Sequence, residues 1–430
     1  MGSSKREMVS EHAVYGVWLQ LVMGEGSRKV PLLLDYFGSC RAVYEADEIE
    51  RRLSGLLVPG EIKKMEETPL DQASEIVDAC VRLHYQILTP DDAAYPGRLR
   101  NIADYPAALY ISGEWPAIDD EVCIAMVGTR RASRYGYDTA MNIARDLAAC
   151  GAIVVSGCAR GIDTAAHQGA LIGGGKTMGV LGCGINTPYN MQNEGLRQVI
   201  SASGAIISDF PPGAPPLNYH FPIRNRLISA LTLGVVVVEA GDRSGSLITA
   251  NLALEQGRDV FAVPGQVSSP MAKGVNKLIF DGAKPIEDAY GVLEDYVVQF
   301  PHKIHLEYFG RNVRVYDRGV RPKWEREPVE KQKKPPASVR SIPSDQAVKP
   351  RLTEMEAAAD RMPEPENNAP VGMSENAVKV MRVLSGTPKP PEDIAAESGV
   401  PAAELMKCLT ELELYGKVRI LPGKRYTGIK

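Results

Sequence analysis

Arginines set among glycines and serines recur in separated segments of this 430-residue chain. "VGTRRASRYG" carries Gly128, Arg130, Arg131, Ser133 and Arg134, and "SGCARGID" carries Ser156, Gly157, Arg160 and Gly161. "EAGDRSGSLITA" adds Arg243, Ser244, Gly245 and Ser246. A fourth segment, "FPIRNRLISAL", places Arg224, Asn225 and Arg226 at the start of an amphipathic helix, with Pro222 suited to a first helical position. A helix N-terminus is the positive end of the macrodipole and favours carboxylates, so two arginines there require an anion. Glycine lets backbone N–H groups approach a ligand, serine caps a following helix, and the guanidinium fork holds phosphate bidentately. The chemistry these residues suit is phosphate binding.

Catalytic chemistry is not suggested. The six histidines are dispersed, and His302 and His305 lack the acidic or histidine partners of a metal site. His167 reads as a packed histidine and Asp163 as a helix cap. No residue pair marks a general acid and base. "GTRRASRYG" is not the dinucleotide fingerprint G-x-G-x-x-G, and no G-x-x-x-x-G-K-[ST] occurs. The expected catalytic residues, metals and cofactors are therefore none.

The elements that must position the arginines are legible from Val122 onward. "CIAMVG", "AIVVSG", "TMGVLG", "AIISDF", "VVVVEA" and "DVFAVPG" are strand-like runs separated by amphipathic stretches. Six such runs alternating with helices predict a doubly wound parallel sheet covered on both faces. Ligands of such sheets bind outside the carboxyl ends of the strands, where the arginine and serine segments fall. The arginine-led helix immediately precedes the Val235–Val238 run, which brings its N-terminus to the same rim.

Composition divides the chain into four parts: a helical region over 1–88, an α/β domain over 89–300, a linker over 301–372 and a winged helix over 373–430. In the first, "VWLQLVMGEGSRKVPLLLDYFGS" reads as two helices joined at Gly24-Glu25-Gly26. Such a pair is either a phosphate-presenting helix-hairpin-helix or a packed αα-hairpin, and the packed form is favoured. The linker is rich in Lys, Arg and Pro, with an acidic piece around "MEAAADRMPEPE". Three short helices followed by "KVRILPGKRYTGI" predict the winged helix. Seven scattered cysteines without a C-x-x-C pair suggest buried thiols rather than disulfides or zinc. No apolar run reaches the roughly 18 residues that span a bilayer, and the start lacks a signal peptide's apolar stretch. The expectation is a cytoplasmic protein with no membrane partner. A net charge of −4 argues against indiscriminate nucleic-acid binding but leaves room for a local basic patch.

Taken together, "VGTRRASRYG", "SGCARGIDTAAHQGAL", "FPIRNRLISAL", "VVVVEAGDRSGSLITANLALEQGRDVFAVPG" and "GVNKLIFDGA" resemble the DNA-processing protein A family, in family order from about Leu88 to Leu293. The resemblance implies a Rossmann-like domain preceded by an all-α SAM-like domain and followed by a winged helix. It implies binding of single-stranded DNA without sequence preference, protection of incoming strands in natural transformation and their transfer to a RecA-type recombinase. It also implies a homodimer through the Rossmann-like domain and no catalytic activity. The family's DNA-contacting arginine falls on Arg130, its SGxAxGID loop on Ser156 to Asp163, its FPxRNR block on Arg224, Asn225 and Arg226, and its SGSL block on Ser244, Gly245 and Ser246. Two positions depart from the pattern. Asn190 stands where a proline is usual, and Asn218 where a lysine is frequent, in "PLNYHFP". Arg131 or Arg134 could replace the missing cation, or Tyr219 or His220 could stack on a base.

A nucleotide-processing enzyme of the lysine-decarboxylase-like phosphoribohydrolase type is the alternative, because it shares the sheet. Its P-G-G-x-G-T signature is absent, and "EAGDRSGSLITA" stands in that place. A winged helix acting as the main DNA reader is disfavoured by Glu404, Glu411 and Glu413 beside Lys407 on its candidate recognition helix.

Overall fold

The computed structural model describes residues 10–309 and, further along, 374–384, 389–401, 404–405, 407–409, 412, 417–421 and 425–428. Most of the segment read as a linker lies outside the described residues. The chain forms two compact units, residues 1–332 and 333–430.

The first unit is built on a nine-stranded sheet: β1 (Gln86–Leu88), β2 (Leu109–Gly113), β3 (Cys123–Val127), β4 (Ile153–Ser156), β5 (Thr177–Val180), β6 (Ala205–Ser208), β7 (Gly234–Val237), β8 (Asp259–Ala262) and β9 (Lys284–Pro285). The strand order is β1-β2-β6-β5-β4-β3-β7-β8-β9. Strands β3 to β8 correspond to the six apolar runs and pair in parallel throughout. β9 extends the parallel sheet at one end, while β1 and β2 close the other end antiparallel. Because β1 lies before residue 88, the sheet reaches back into the part of the sequence read as helical. The order reverses between β3 and β7, which is the switch point of a doubly wound sheet and the place where the two sets of crossover helices part to leave a crevice.

Six helices precede β1: α1 (Ala13–Met23), α2 (Lys29–Phe37), α3 (Cys40–Glu45), α4 (Glu48–Leu53), α5 (Pro59–Glu67) and α6 (Leu70–Leu83). Between and beyond the strands come α7 (Gly97–Arg100), α8 (Arg134–Ala149), α9 (Ile162–Ile172), α10 (Glu194–Ser203), α11 (His220–Ala230), α12 (Gly245–Glu255), α13 (Lys273–Phe280) and α14 (Tyr290–Leu293). Side chains alternate faces along a strand, and both faces of β3 are covered. Ile124 and Met126 join Ile143 and Leu147 of α8 in one core, while Ala125 and Val127 join Leu227 of α11 and the N-terminal helices in another. Burial on both faces explains why these strands read as unbroken apolar runs.

The N-terminal helices share the second core. Trp18 of α1 is fully buried and donates from Nε1 to the Thr68 carbonyl at 2.9 Å. Gln20, also buried, accepts from the Ala107 N–H at 2.8 Å and donates to the Asp209 carbonyl at 3.3 Å, which stitches α1 to the segment before β2 and the loop after β6. The turn at Gly24–Gly26 packs on α11: a Cβ placed on Gly26 would lie 3.1 Å from Ile223 Cγ2. This is the packed αα-hairpin form, with its turn against the protein's own helix.

The second unit contains α15 (Glu375–Val383), α16 (Pro391–Ser398) and an antiparallel hairpin of β10 (Val418–Leu421) and β11 (Arg425–Gly428). Residues 404, 405, 407–409 and 412 are helical. Val380, Ile394, Leu409, Leu412, Val418 and Tyr426 form its core, the arrangement of a winged helix. All seven cysteines are buried, and no helix among the described residues is long and apolar enough to cross a membrane.

Gly16 of α1 tests the shared core. A Cβ there would meet Thr89 Cγ2 at 2.4 Å and the Ala107 carbonyl oxygen at 2.6 Å. Gly16→Ala is expected to lower the stability of the whole unit by about 1–3 kcal/mol. In urea denaturation followed by near-UV signal of the sheet domain, an unchanged midpoint would show that the helices fold apart from it.

Candidate nucleic-acid interface

A cleft of about 480 Å³ opens at the carboxyl ends of β3 and β7. The β3–α8 loop brings Gly128, Arg130 and Arg131 to it, the start of α11 brings Phe221, Arg224 and Asn225, and the start of α12 brings Ser244, Gly245 and Ser246. Eight of the fourteen residues expected at a phosphate site from the sequence therefore line one cleft at the topological switch. Ser133, Ser156, Gly157, Arg160, Gly161 and Arg226 are not among its lining residues.

The loop after β3 is held open by its neighbours. Thr129 N–H donates to the Glu239 carbonyl at 2.7 Å, and the Ile162 N–H donates to the Thr129 carbonyl at 3.2 Å. Ser133 caps α8, its Oγ accepting from Gly136 N–H at 3.0 Å, while its own N–H donates to the Glu239 carboxylate at 2.8 Å. Glu239, which no motif marks, thus braces the loop from both its backbone and its side chain. The guanidinium groups of Arg130 and Arg131 remain exposed on this scaffold. Arg130 lies over the Phe221 ring, 5.4 Å from its centroid, so the charge is oriented as well as presented. Phe221 was read only as part of a helix, and no periodicity signals its second role.

Helix α11 begins at His220, which makes Pro222 its third residue rather than its first. The arginines on it do not face an external anion. Arg224 is buried, and its Nη1 donates to the Gly157 carbonyl at 2.9 Å and to the Val180 carbonyl, at the ends of β4 and β5. Burial pushes its guanidinium below the ordinary range, and the nearby Asp163 carboxylate opposes that shift. Asp163 is pushed upward by burial, offset by Arg224 and by the N–H groups of Ala159 and Gly157. The Asp163 carboxylate therefore holds the β4–α9 loop, accepting from Gly157 at 3.1 Å and Ala159 at 3.3 Å, instead of capping α9. Arg226 lies on the other side of α11, 2% exposed, paired with Asp209 at 2.7 Å and Asp104 at 3.6 Å. The anions that these two arginines required are the protein's own carbonyl and carboxylate oxygens.

Ser156 and the two loop glycines also act inside the fold. Ser156 is buried and donates to the Met126 carbonyl at 2.6 Å. A Cβ on Gly157 would sit 2.7 Å from both Arg224 Nη2 and Asp163 Oδ2. Gly161 has φ of +78° and a Cβ there would lie 2.3 Å from the Thr129 carbonyl oxygen, so it lets α9 approach the arginine loop. Arg160 is exposed and donates to Asn190 Oδ1 at 3.2 Å, and Asn190 in turn donates to the Cys158 carbonyl at 3.3 Å. Asn190 thus ties the loop where a proline could not.

His167 is buried, with Nδ1 2.7 Å from Thr177 Oγ1 and Nε2 3.5 Å from Cys158 Sγ. The Thr177 hydroxyl donates to the Val154 carbonyl, so Nδ1–H is the donor to Thr177 and Nε2 accepts from the thiol. Burial pushes the imidazole down to about 3 and the Cys158 thiol up to about 12. The histidine is a packed neutral group.

Residues 86–297 match the family described as DNA recombination-mediator protein A, and residues 363–424 match the DprA winged helix domain. "DNA processing protein DprA" of Streptococcus pneumoniae is 40% identical over 205 residues, 48% of this chain and 72% of that protein. "Protein Smf" of Escherichia coli is 42% identical over 213 residues, 49% of this chain and 57% of that relative. The crystal structure of DNA processing protein A from Streptococcus pneumoniae superposes with a TM-score of 0.59 at 32% identity, covering 66% of this chain and 97% of that one. A doubly wound sheet with a phosphate-suited cleft at its switch point defines a Rossmann-like binding protein. This chain belongs to the DNA recombination-mediator protein A family.

Arg130, Arg224 and Arg226 differ in what holds them, and their alanine variants should differ accordingly. Arg224→Ala and Arg226→Ala each strip a buried carboxylate of its counter-charge and should lower stability by about 3–5 kcal/mol. Arg130→Ala should change it by no more than about 0.5 kcal/mol. Urea unfolding of the three variants separates these expectations.

His167 adds a pH dependence of known sign. Its folded pKa lies below the unfolded value, so the unfolded chain binds the extra proton and stability falls as pH drops below about 6.5. Between pH 7 and pH 5, the native protein should lose about 2 kcal/mol more than His167→Gln loses over the same interval.

Proposed function

We propose that this protein binds single-stranded DNA without sequence preference, in the cleft between the β3–α8 loop and the starts of α11 and α12. The observation that carries this reading is the convergence of Gly128, Arg130, Arg131, Asn225 and the Ser244–Ser246 helix start on one cleft at the sheet's switch point. The exposed guanidinium groups suit phosphate oxygens, and the helix start offers backbone N–H groups and hydroxyls. Contacts to phosphate and sugar carry no sequence information. A net charge of −4 disfavours indiscriminate adhesion of nucleic acid, so a local basic site is what binding requires. Arg224 and Arg226 serve by fixing α11 rather than by touching DNA.

On this reading the protein is a mediator without catalytic activity. It protects incoming strands in transformation and hands them to a RecA-type recombinase, acting in the cytoplasm as a homodimer through its Rossmann-like domain. Family membership and the arginine, glycine and serine lining of the cleft, which suits phosphate, support the DNA part. The recombinase and dimer parts rest on the family resemblance.

Arg130→Ala should weaken binding of a thymidine oligonucleotide about tenfold and reduce the slope of log affinity against log salt by about 0.7, the share of one phosphate. Removal of residues 373–430 should leave most of that affinity in place. Equal affinity for single-stranded and duplex DNA of matched length, measured by fluorescence anisotropy, would reject the reading.

A further inference from the structure

We propose that Tyr219 forms a nucleobase-stacking subsite at the mouth of the cleft, separate from the groups that hold phosphate. The proposal rests on the single-strand reading above and says where an unpaired base would go. The chain enters α11 along the cleft, with Asn218, Phe221 and Pro222 among its lining residues and Tyr219 between them. Tyr219 is 63% exposed.

Its ring is not loose on the surface. It packs edge-on to His220, with centroids 4.5 Å apart and planes at 84°. His220 is itself buried and lies stacked on Phe210, at 4.1 Å and 24°, and Phe210 is buried in turn. A ladder of two buried rings therefore props one exposed ring. Stacking on a ring already held in place needs little further loss of side-chain freedom, since tyrosine has only two side-chain torsions.

The ladder also removes His220 from contention, because its ring is used internally. The other aromatic residue of the cleft, Phe221, is engaged as well. Arg130 lies over it at 5.4 Å, Arg224 at 6.0 Å, and the Tyr189 ring packs against it at 5.2 Å. Tyr219 meets one neighbouring ring, and meets it edge-on, which leaves ring surface for a base.

Charge points the same way. The lip formed by Asn218, Tyr219 and His220 carries no lysine or arginine, whereas the β3–α8 loop carries Arg130 and Arg131. One lip suits phosphate and the other suits a base. Bases in a duplex are stacked on each other and present no face to Tyr219, so this subsite favours unpaired strands. It takes any base, because every base has a π-face.

The test compares wild type, Tyr219→Ala, Tyr219→Phe and Arg130→Ala on a 15-nucleotide thymidine strand and on an abasic strand of the same length, each over a salt series. Tyr219→Ala should bind the thymidine strand about tenfold more weakly, bind the abasic strand as wild type does, and keep the wild-type salt slope. Tyr219→Phe should stay within about twofold of wild type on both, because the stacking surface is kept. Arg130→Ala should lose affinity on both strands and lower the slope. Wild-type affinity of Tyr219→Ala for thymidine, or equal losses on the two strands, overturns the stacking subsite while leaving the phosphate cleft standing. Failure of wild type to bind either strand overturns the single-strand reading, and the subsite with it.

Discussion

The buried Arg224 guanidinium is the tie on which the cleft depends. It gathers the carbonyl ends of β4 and β5 and sits beside Asp163, which holds the turn between β4 and α9. Three crossover elements are thereby fixed to one side chain of α11. A charge taken out of water is tolerable only when its hydrogen-bonding capacity is used and a counter-charge lies near. Both conditions are met here by groups that the parallel sheet already places at this rim. The carboxyl ends of parallel strands present carbonyl oxygens, and an arginine is the side chain best shaped to collect several of them.

From that tie the rest of the rim follows. With Arg224 and Arg226 neutralised from within, α11 is pinned on both sides: toward the strand ends by the first and toward Asp209 and the N-terminal helices by the second. Gln20 bonds the Asp209 backbone, and the Gly26 turn packs on Ile223, so the helical region backs the same helix. What α11 presents to the cleft is therefore held by the core, while Arg130 and Arg131 stand on a separately braced loop with their charges free. The same residue type does opposite work at the two places, and burial decides which.

Much of this was legible beforehand. The six parallel strands announced themselves because both faces are covered, and the rule that ligands lie outside strand carboxyl ends placed the loops on one edge. Sequence also singled out segments that meet at one cleft. It did not separate the exposed arginine from the buried ones, since Arg130, Arg224 and Arg226 look alike until their surroundings are known. The partners that distinguish them, Asp209 for Arg226 and the Gly157 and Val180 carbonyls for Arg224, are 17, 67 and 44 residues away in the chain. The glycines show the same limit: Gly157 and Gly161 admit Arg224, Asp163 and the Thr129 carbonyl, contacts that no local pattern reveals. β1 and β9 escaped notice because strands of three and two residues carry no periodicity.

The charge distribution that results has a consequence for discrimination between strands. A protein of net charge −4 with two exposed guanidinium groups at one cleft attracts polyanions locally there. Such attraction is screened by salt and is blind to whether the polyanion is paired. The proposed preference for unpaired DNA would then have to come from short-range contacts that a duplex cannot make, aromatic faces and recessed N–H groups rather than additional cations. A lysine at position 218 would raise affinity for every nucleic acid alike. Asparagine there, beside an exposed tyrosine braced by buried rings, fits the proposed reading, in which general attraction gives way to contacts that depend on an open base.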